Sequence, residues 1–414
     1  MLVFFCAVIA SFVAAMTRVI SSGEITGAEQ SILGLLGWMG VLFVAIDGIG
    51  SWSRLQVLLR RVSLLVGFEA LVGIIQFAAG KSFVDGLHVP GLTWNAPVQI
   101  TARDGFFRPA GTATHPLEFG LAISVLLPIV LFVAFDPETG GRIRRWFPVS
   151  ALCLAIPISI SRSAIIATAV VLVIIFPIWS RRARYAALAG GCALLGGMYL
   201  VLPKFFGAIQ GLFVGLSNNA SISSRTDSYS MAWEFIVRSP VVGRGLGTFN
   251  SDYRILDNQY LGLIIGVGVL GAGIFVALYL VGAWCAWRVS YLAADEPMRN
   301  LARSVLASIA ASGVSYAFFD GFGFPMFAGI SFLLLGIAGL LYREATFPDA
   351  ALDQRKGRPA ARRAHTVMKP SSGPRQRKTE NNPPSASTTA ASGQKAAVPR
   401  PGHIGDLSMT RCRL

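Results

Sequence analysis

The sequence predicts an all-α fold: a polytopic membrane helical bundle of about ten transmembrane helices with one large extracytoplasmic loop. Three observations lead there. Of 414 residues, 53% are hydrophobic and only 14% charged, with mean hydropathy +0.59; a soluble domain carries about a quarter charged residues. Apolar runs near the ~20 residues that a membrane helix needs recur along the chain. Clusters of arginine fall in alternate loops between those runs.

The net charge of +15 does not indicate a nucleic-acid partner, because 14 Lys/Arg against 5 Asp/Glu lie from Arg343 onward. A basic tail after a last span reads as a cytoplasmic segment facing lipid. The five cysteines, Cys6, Cys153, Cys192, Cys285 and Cys412, are odd in number and lack CxxC spacing. They support neither a disulfide framework nor a zinc site. Residues 1–20 have no basic n-region and no convincing cleavage site, so they read as a retained span.

Taken in order, the spans fall near residues 2–20, 32–49, 62–79, 117–135, 147–160, 164–179, 186–202, 259–287, 301–319 and 326–342. The fifth and sixth are short and meet at the tight turn Ser161-Arg162-Ser163. The expected organisation is a bundle over 1–342, including a large outer loop at 203–258, followed by a basic tail at 343–414. Rich in Pro, Ser, Ala and Thr without hydrophobic periodicity, the tail is expected to be disordered.

Basic residues in short loops set orientation. Arg54, Arg60 and Arg61, then Arg142, Arg144 and Arg145, then Arg181, Arg182 and Arg184, then Arg288 and the tail share one side if the spans alternate. That side is expected to be the cytoplasm, with both termini inside a bacterial inner membrane.

The opposite face receives the most polar stretch before the tail, residues 222–260, with Arg225, Arg238, Arg244 and Arg254. Ser224 and Asp227 have the spacing of a capping box. Beyond them Tyr229, Ala232, Trp233 and Ile236 share a helical face that Ser239-Pro240 ends. That helix suits either the membrane interface or a cap on the bundle.

Arginines on an outer face run against the positive-inside bias. Arg108, Arg162, Arg225, Arg244 and Arg254 lie there, and planar guanidinium groups converging on one pocket would bind a pyrophosphate. Separate ion pairs with Asp227, Asp252 or Asp257, or snorkelling to headgroups, account for them individually. Asp257-Asn258 stands where the outer loop re-enters the membrane: either a general base for an acceptor hydroxyl or a helix N-cap. His115, with Glu118 close by, opens the fourth span; a histidine before proline is more often a loop hydrogen-bonder than a catalyst. Only His88 joins it outside the tail, so no histidine metal site is expected. Glu69, within the third span, is a functional candidate by default or a polar contact with Ser63 or Gln76. Gly243-Arg-Gly-Leu-Gly247 follows no predicted strand, so it reads as a tight turn whose amides could meet an anion.

Four motifs, in this order, resemble the O-antigen ligase and Wzy-type polysaccharide polymerase family. They are Arg108-Pro-Ala-Gly-Thr-Ala-Thr-His-Pro116; Ser161-Arg162-Ser163; Arg225 with Trp233, Pro240 and Gly243-Arg-Gly-Leu-Gly-Thr-Phe249; and Asp257-Asn258-Gln-Tyr-Leu261 followed by Gly266 to Gly271. The resemblance covers roughly residues 108–277. It implies a GT-C-like glycosyltransferase moving a polyprenyl-pyrophosphate-linked glycan onto a glycan or lipid acceptor outside the cytoplasmic membrane, with no cofactor or metal. It also implies that Arg162 and Arg225 bind the pyrophosphate and that Asp257 activates the acceptor. Two departures stand out: Asp257 occupies a position where ligases usually carry histidine, which tilts toward polymerase chemistry, and Leu117 follows His-Pro where asparagine is frequent. The rival reading is a transporter or flippase of a lipid-linked saccharide.

Overall fold

The computed structural model describes residues 1–84, 102–103, 105–137, 140–211, 220–250, 253–254 and 256–346; the side chains of 103, 205, 206, 208 and 220–228 lie outside that description. Its helices are α1 (Leu2–Met16), α2 (Ser22–Phe43), α3 (Trp52–Ala79), α4 (Pro116–Phe135), α5 (Arg142–Ile158), α6 (Arg162–Ile175), α7 (Arg181–Val201), α8 (Pro203–Gly211), α9 (Ala220–Arg238), α10 (Gln259–Leu292), α11 (Glu296–Ser315) and α12 (Pro325–Thr346). A two-residue antiparallel pairing, β1 (Ala102–Arg103) with β2 (Phe106–Phe107), is the strand structure among the described residues. The chain is an all-α polytopic membrane protein. All ten predicted spans fall on helices. Among the described residues, six helices are long and apolar enough to cross a membrane: α2 with its π-helical extension to Gly48, α3, α4, α7, α10 and α12. The other four are shorter than the ~20 residues required or, in α11, carry polar residues such as Glu296 and Arg303.

Helix α4 is the axis. It is apolar on every side and almost entirely buried, as such a helix must be. Around it stand α3, α5, α6, α11 and α12. Small residues set how closely these helices approach, as is usual between membrane helices. Gly120 meets Ser159 and Ala164, and Thr168 donates to Ser124 Oγ (3.1 Å), which ties α4 to α6. Gly73 accommodates the Phe119 ring, and Gly67 faces Pro148, which joins α3 to α4 and α5.

The loops separate into two sets. Arg60–Asp136 (2.9 Å) and Arg343–Asp47 (2.7 Å) pair the ends of elements that carry the basic loops. The other set joins the end of α3, the starts of α4, α6, α10 and α12, and the ends of α5 and α11, through the contacts described below.

Two local expectations are corrected. Helix α9 begins at Ala220, so Ser224 and Asp227 lie inside it and form no N-terminal capping box. The capping box that does form is Ser21 with Glu24 at the start of α2. The face of α9 predicted as one also divides: Ala232 is buried, with half-buried Phe235 and Ile236, against Phe249, Leu256 and Ile265, while Tyr229 and Trp233 are exposed. Packing against the loop beneath, not periodicity alone, chose the buried side.

Candidate functional site

The loop entering α4 is built by carboxylates and an amide from below. Gln76 grips Gly111 twice, its Nε2 donating to Gly111 O and its Oε1 accepting from Gly111 N (both 2.8 Å). Glu69 accepts from Thr112 N and Thr112 Oγ1 (both 2.7 Å), and Glu118 accepts from Thr114 N (3.0 Å) and Oγ1 (2.8 Å). Gly111 has φ +62°, and a Cβ there would overlap the Glu69 carboxylate. Glu118 reaches further, accepting from Met326 N (2.8 Å) and Phe327 N (3.2 Å) at the start of α12. Glu69 and Glu118, both functional candidates by sequence, therefore hold backbone in place.

This support positions Arg108 and His115. Arg108 is buried, and its Nε donates to Ser159 O (3.3 Å) in the turn between α5 and α6. In that turn Ile160, fully buried, has φ +46°, a region a β-branched residue adopts only where its surroundings force it. Ser161 then caps α6, its side chain accepting from Ala164 N, and Arg162 opens the helix half-buried. Thus Arg108 and the Arg162 turn are in direct contact through Ser159.

His115 caps α4, its Nδ1 accepting from Leu117 N (3.1 Å), which places the proton of a neutral imidazole on Nε2. Burial lowers its pKa, the Arg108 cation lowers it further, and the Asp257 carboxylate opposes both. Arg108, His115 and Asp257 therefore share one electrostatic environment.

Asn258, not Asp257, is the N-cap of α10; its Oδ1 accepts from Leu261 N (3.2 Å). The cap role weighed for Asp257 is thus filled by its neighbour. Next to them Gln259 N donates to Tyr316 O (2.8 Å) and Phe319 O (3.1 Å), and Gln259 Oε1 accepts from Phe322 N (2.7 Å). This binds the start of α10 to the α11–α12 turn, which carries Asp320. Sequence reading assigned Asp320 no role. Its one signal is an acidic residue opening a short outer loop between two apolar spans.

Arg244, expected with the pyrophosphate arginines, does not join them. Its guanidinium contacts the Glu24 carboxylate, bonds Tyr253 Oη (3.3 Å) and lies between the rings of Phe235 (4.6 Å) and Tyr253 (4.9 Å). Its backbone is engaged too. Arg244 N donates to Ile265 O (2.9 Å) and Gly245 N to Gly266 O (2.8 Å), so these two amides of the glycine-rich turn meet carbonyls instead of an anion. Those carbonyls are offered because α10 breaks at Gly268 (φ 71°). Arg254 is half-buried in the same outer loop. The Arg225 backbone lies in α9, but its side chain, like His88 and Asp252, is outside the described residues.

Residues 147–276 match the family model Wzy_C, O-antigen ligase. The matched segment contains Arg162, Arg225, Arg244 and Asp257, and excludes Arg108 and His115. No curated protein matches the chain. The family match supports the kinship that the motifs suggested.

Proposed function

We propose that this chain, a membrane protein of the O-antigen ligase/Wzy type, transfers a polyprenyl-pyrophosphate-linked glycan onto a glycan or lipid acceptor at the outer face of the cytoplasmic membrane. The family implies glycosyl transfer on lipid-linked glycans in broad terms; the donor, acceptor site and residue roles are our reading. One observation carries it: buried Arg108, the Arg162 turn, His115 and Asp257 meet at one end of the bundle. Cations for a leaving diphosphate stand there beside a carboxylate for an incoming hydroxyl.

In the reaction so assigned, the acceptor oxygen attacks the anomeric carbon, and the bond from that carbon to the phosphate oxygen breaks with its electron pair on the pyrophosphate. The hydroxyl proton passes to Asp257 as general base. Arg108, Arg162 and Arg225 neutralise the growing charge on the leaving group, the electrostatic term that is usually largest. Neutral His115, with its proton on Nε2, donates a hydrogen bond without adding charge. The polyprenyl chain stays in the bilayer, so the reaction runs at its edge. Each step is complete with these side chains and needs no metal or cofactor. Aspartate at position 257 favours polymerase over ligase chemistry.

The test is turnover of a polyprenyl-pyrophosphate glycan in liposomes holding the purified protein. Release of the lipid pyrophosphate with lengthening or transfer of the glycan is expected. Arg162→Ala and Arg225→Ala should each lower it at least about 10²- to 10³-fold, the usual cost of one such donor. A flippase would instead move the donor across the bilayer unchanged. The broken helix α10 is the feature that most invites that reading, but its exposed carbonyls are filled by the chain's own Arg244–Gly245 turn. Translocation without covalent change would overturn the proposal.

A further inference from the structure

We propose that the cleft at the basic-loop end of the bundle binds one zwitterionic aminophospholipid, with its phosphate on Arg303 and its ammonium toward Glu296. The cleft opens between the start of α3, the ends of α4 and α6, and the starts of α7 and α11, and has a volume of about 1090 Å³. His115 and Arg162 stand at the other ends of α4 and α6, so occupancy of the cleft is independent of the transfer reaction.

The path of the chain creates the space. Helix α6 runs into a 3₁₀ turn at Phe176–Ile178, and Trp179-Ser180 lead the chain into α7. Helix α7 then stands away from the bundle, with little of its length buried. Its far end is held where Met198 packs with Ile158 and Ile160, whereas Ala183, near its start, borders the cleft. Leu131, Phe132, Phe135 and Ile175 give the cleft apolar walls, and Trp52 and Trp179 line it as well. The α4 lining runs from Pro128 to Phe135, about 10 Å of helix rise. Tryptophan at such a place suits the boundary between headgroups and hydrocarbon.

The polar lining sets the headgroup. Glu296, Asn300 and Arg303 follow one face of α11 over two turns. Arg303 is half-buried two turns inside the helix, and its Nη1 makes one long bond to Asn300 Oδ1 (3.5 Å). Glu296 is exposed at the mouth. Among the described residues neither charge forms an ion pair. Asp136 also borders the cleft, but Arg60 pairs with it (2.9 Å). A cation within and an anion at the mouth, each without a counter-ion, match a ligand carrying both charges on an apolar body. A guanidinium takes two oxygens of a phosphodiester, and a carboxylate accepts from an ammonium. Phosphatidylglycerol would leave Glu296 without a partner, and a choline headgroup offers it no N–H donor.

The full chain is reconstituted in phosphatidylcholine nanodiscs doped with brominated-chain phosphatidylethanolamine, phosphatidylglycerol or phosphatidylcholine. Tryptophan quenching is compared with that of the Trp52→Phe/Trp179→Phe double variant, which separates the two cleft residues from the other tryptophans. The ethanolamine lipid should quench Trp52 and Trp179 at a mole fraction at least about tenfold lower than the other two lipids require. Arg303→Gln should weaken its apparent affinity about 10- to 100-fold, the worth of a hydrogen bond to a charged group. Glu296→Gln should abolish the preference over phosphatidylglycerol while quenching by both persists. Equal quenching by all three lipids in the unaltered protein means annular contact only and overturns the site. No quenching at Trp52 and Trp179, with water or residues 347–414 filling the cleft, overturns it too. Inorganic phosphate or phosphoethanolamine should leave the quenching unchanged; displacement by either would make this a site for a soluble phosphate in place of a lipid.

Folding of the variants is read by melting in lipid-free detergent, where Arg303→Gln and Glu296→Gln should match the unaltered protein. Added ethanolamine lipid should then raise the melting point of the unaltered protein and not that of Arg303→Gln, since a ligand of the folded state alone stabilises it. An equal rise in both overturns the role of Arg303. If Arg303→Gln already melts lower without lipid, Arg303→Lys, which keeps the charge, should restore both the melting point and the preference for the ethanolamine lipid; a restored melting point without that preference counts against the site.

Discussion

Glu69 is a single half-buried carboxylate open to two assignments. By position it is a charge inside a membrane helix, which is a functional hypothesis by default; by contact it accepts two bonds from Thr112 and leaves a Gly111 Cβ no room. The second role predicts a particular pattern. Glu69→Gln retains an oxygen for Thr112 N–H and a rotatable partner for its hydroxyl, so turnover should fall less than about tenfold. Glu69→Ala removes both bonds to Thr112 and should lower stability by about 1–3 kcal/mol, roughly 0.5–1.5 for each, read as a lower melting point in detergent with a matching loss of active protein. Complete loss of kcat in Glu69→Gln at an unchanged melting point would reverse the assignment. The same logic separates Asp257 from Asn258. Both fit an N-cap by type, and the backbone of α10 selects Asn258.

Among the elements, α10 carries the strongest local demand. Gly268 has φ 71°, and a Cβ there would overlap Val241 O, while Val269 N donates to Pro240 O (2.9 Å). Gly268→Ala should cost at least about 1–2 kcal/mol from left-handed backbone alone and expose residues 240–248 to limited proteolysis. Gly273→Ala, in the same helix with open space around it, should be neutral or slightly stabilising; equal melting points for the two variants would contradict the docking of the turn into the break. The glycines of both segments were visible in the sequence, but not that each completes the other, because hydropathy sees one segment at a time. The same limit explains the rest. The helices under all ten apolar runs were legible, although six of them, among the described residues, are long and apolar enough to cross a membrane, whereas the division of α9 into an inner and an outer side depends on what lies beneath it. Arg108 and Arg162 stood out as arginines against the bias of an outer face, and Asp257 as a carboxylate where the outer loop meets an apolar run. The placement of Arg244 was not, because its partner Glu24 lies 220 residues away, and Asp320 was hidden in a loop too short to show a pattern.

At the scale of the whole molecule, the two sets of loops lie at the two ends of alternating helices, and the assignment of those ends carries the chemistry with it. The end joined by Arg60–Asp136 and Arg343–Asp47 holds the basic loops and should face the cytoplasm. The end with Arg108, Arg162, Asp257 and Asp320 should then face outward, the side on which the proposed reaction takes an exported donor. The native cysteines Cys6, Cys153, Cys192 and Cys285 are free, so replacing every cysteine by serine gives a background for single reporters. Ser239→Cys, just past α9, should react with a membrane-impermeant maleimide in intact spheroplasts, and Ser180→Cys, before α7, only after permeabilisation. The reverse pattern would turn the bundle over, place the candidate site in the cytoplasm and leave the exported-donor reaction without a substrate. Labelling of both from outside would instead break the alternation on which the two-ended arrangement stands. Because this measurement needs neither donor nor acceptor, it decides the geometry of the reaction before its chemistry is assayed.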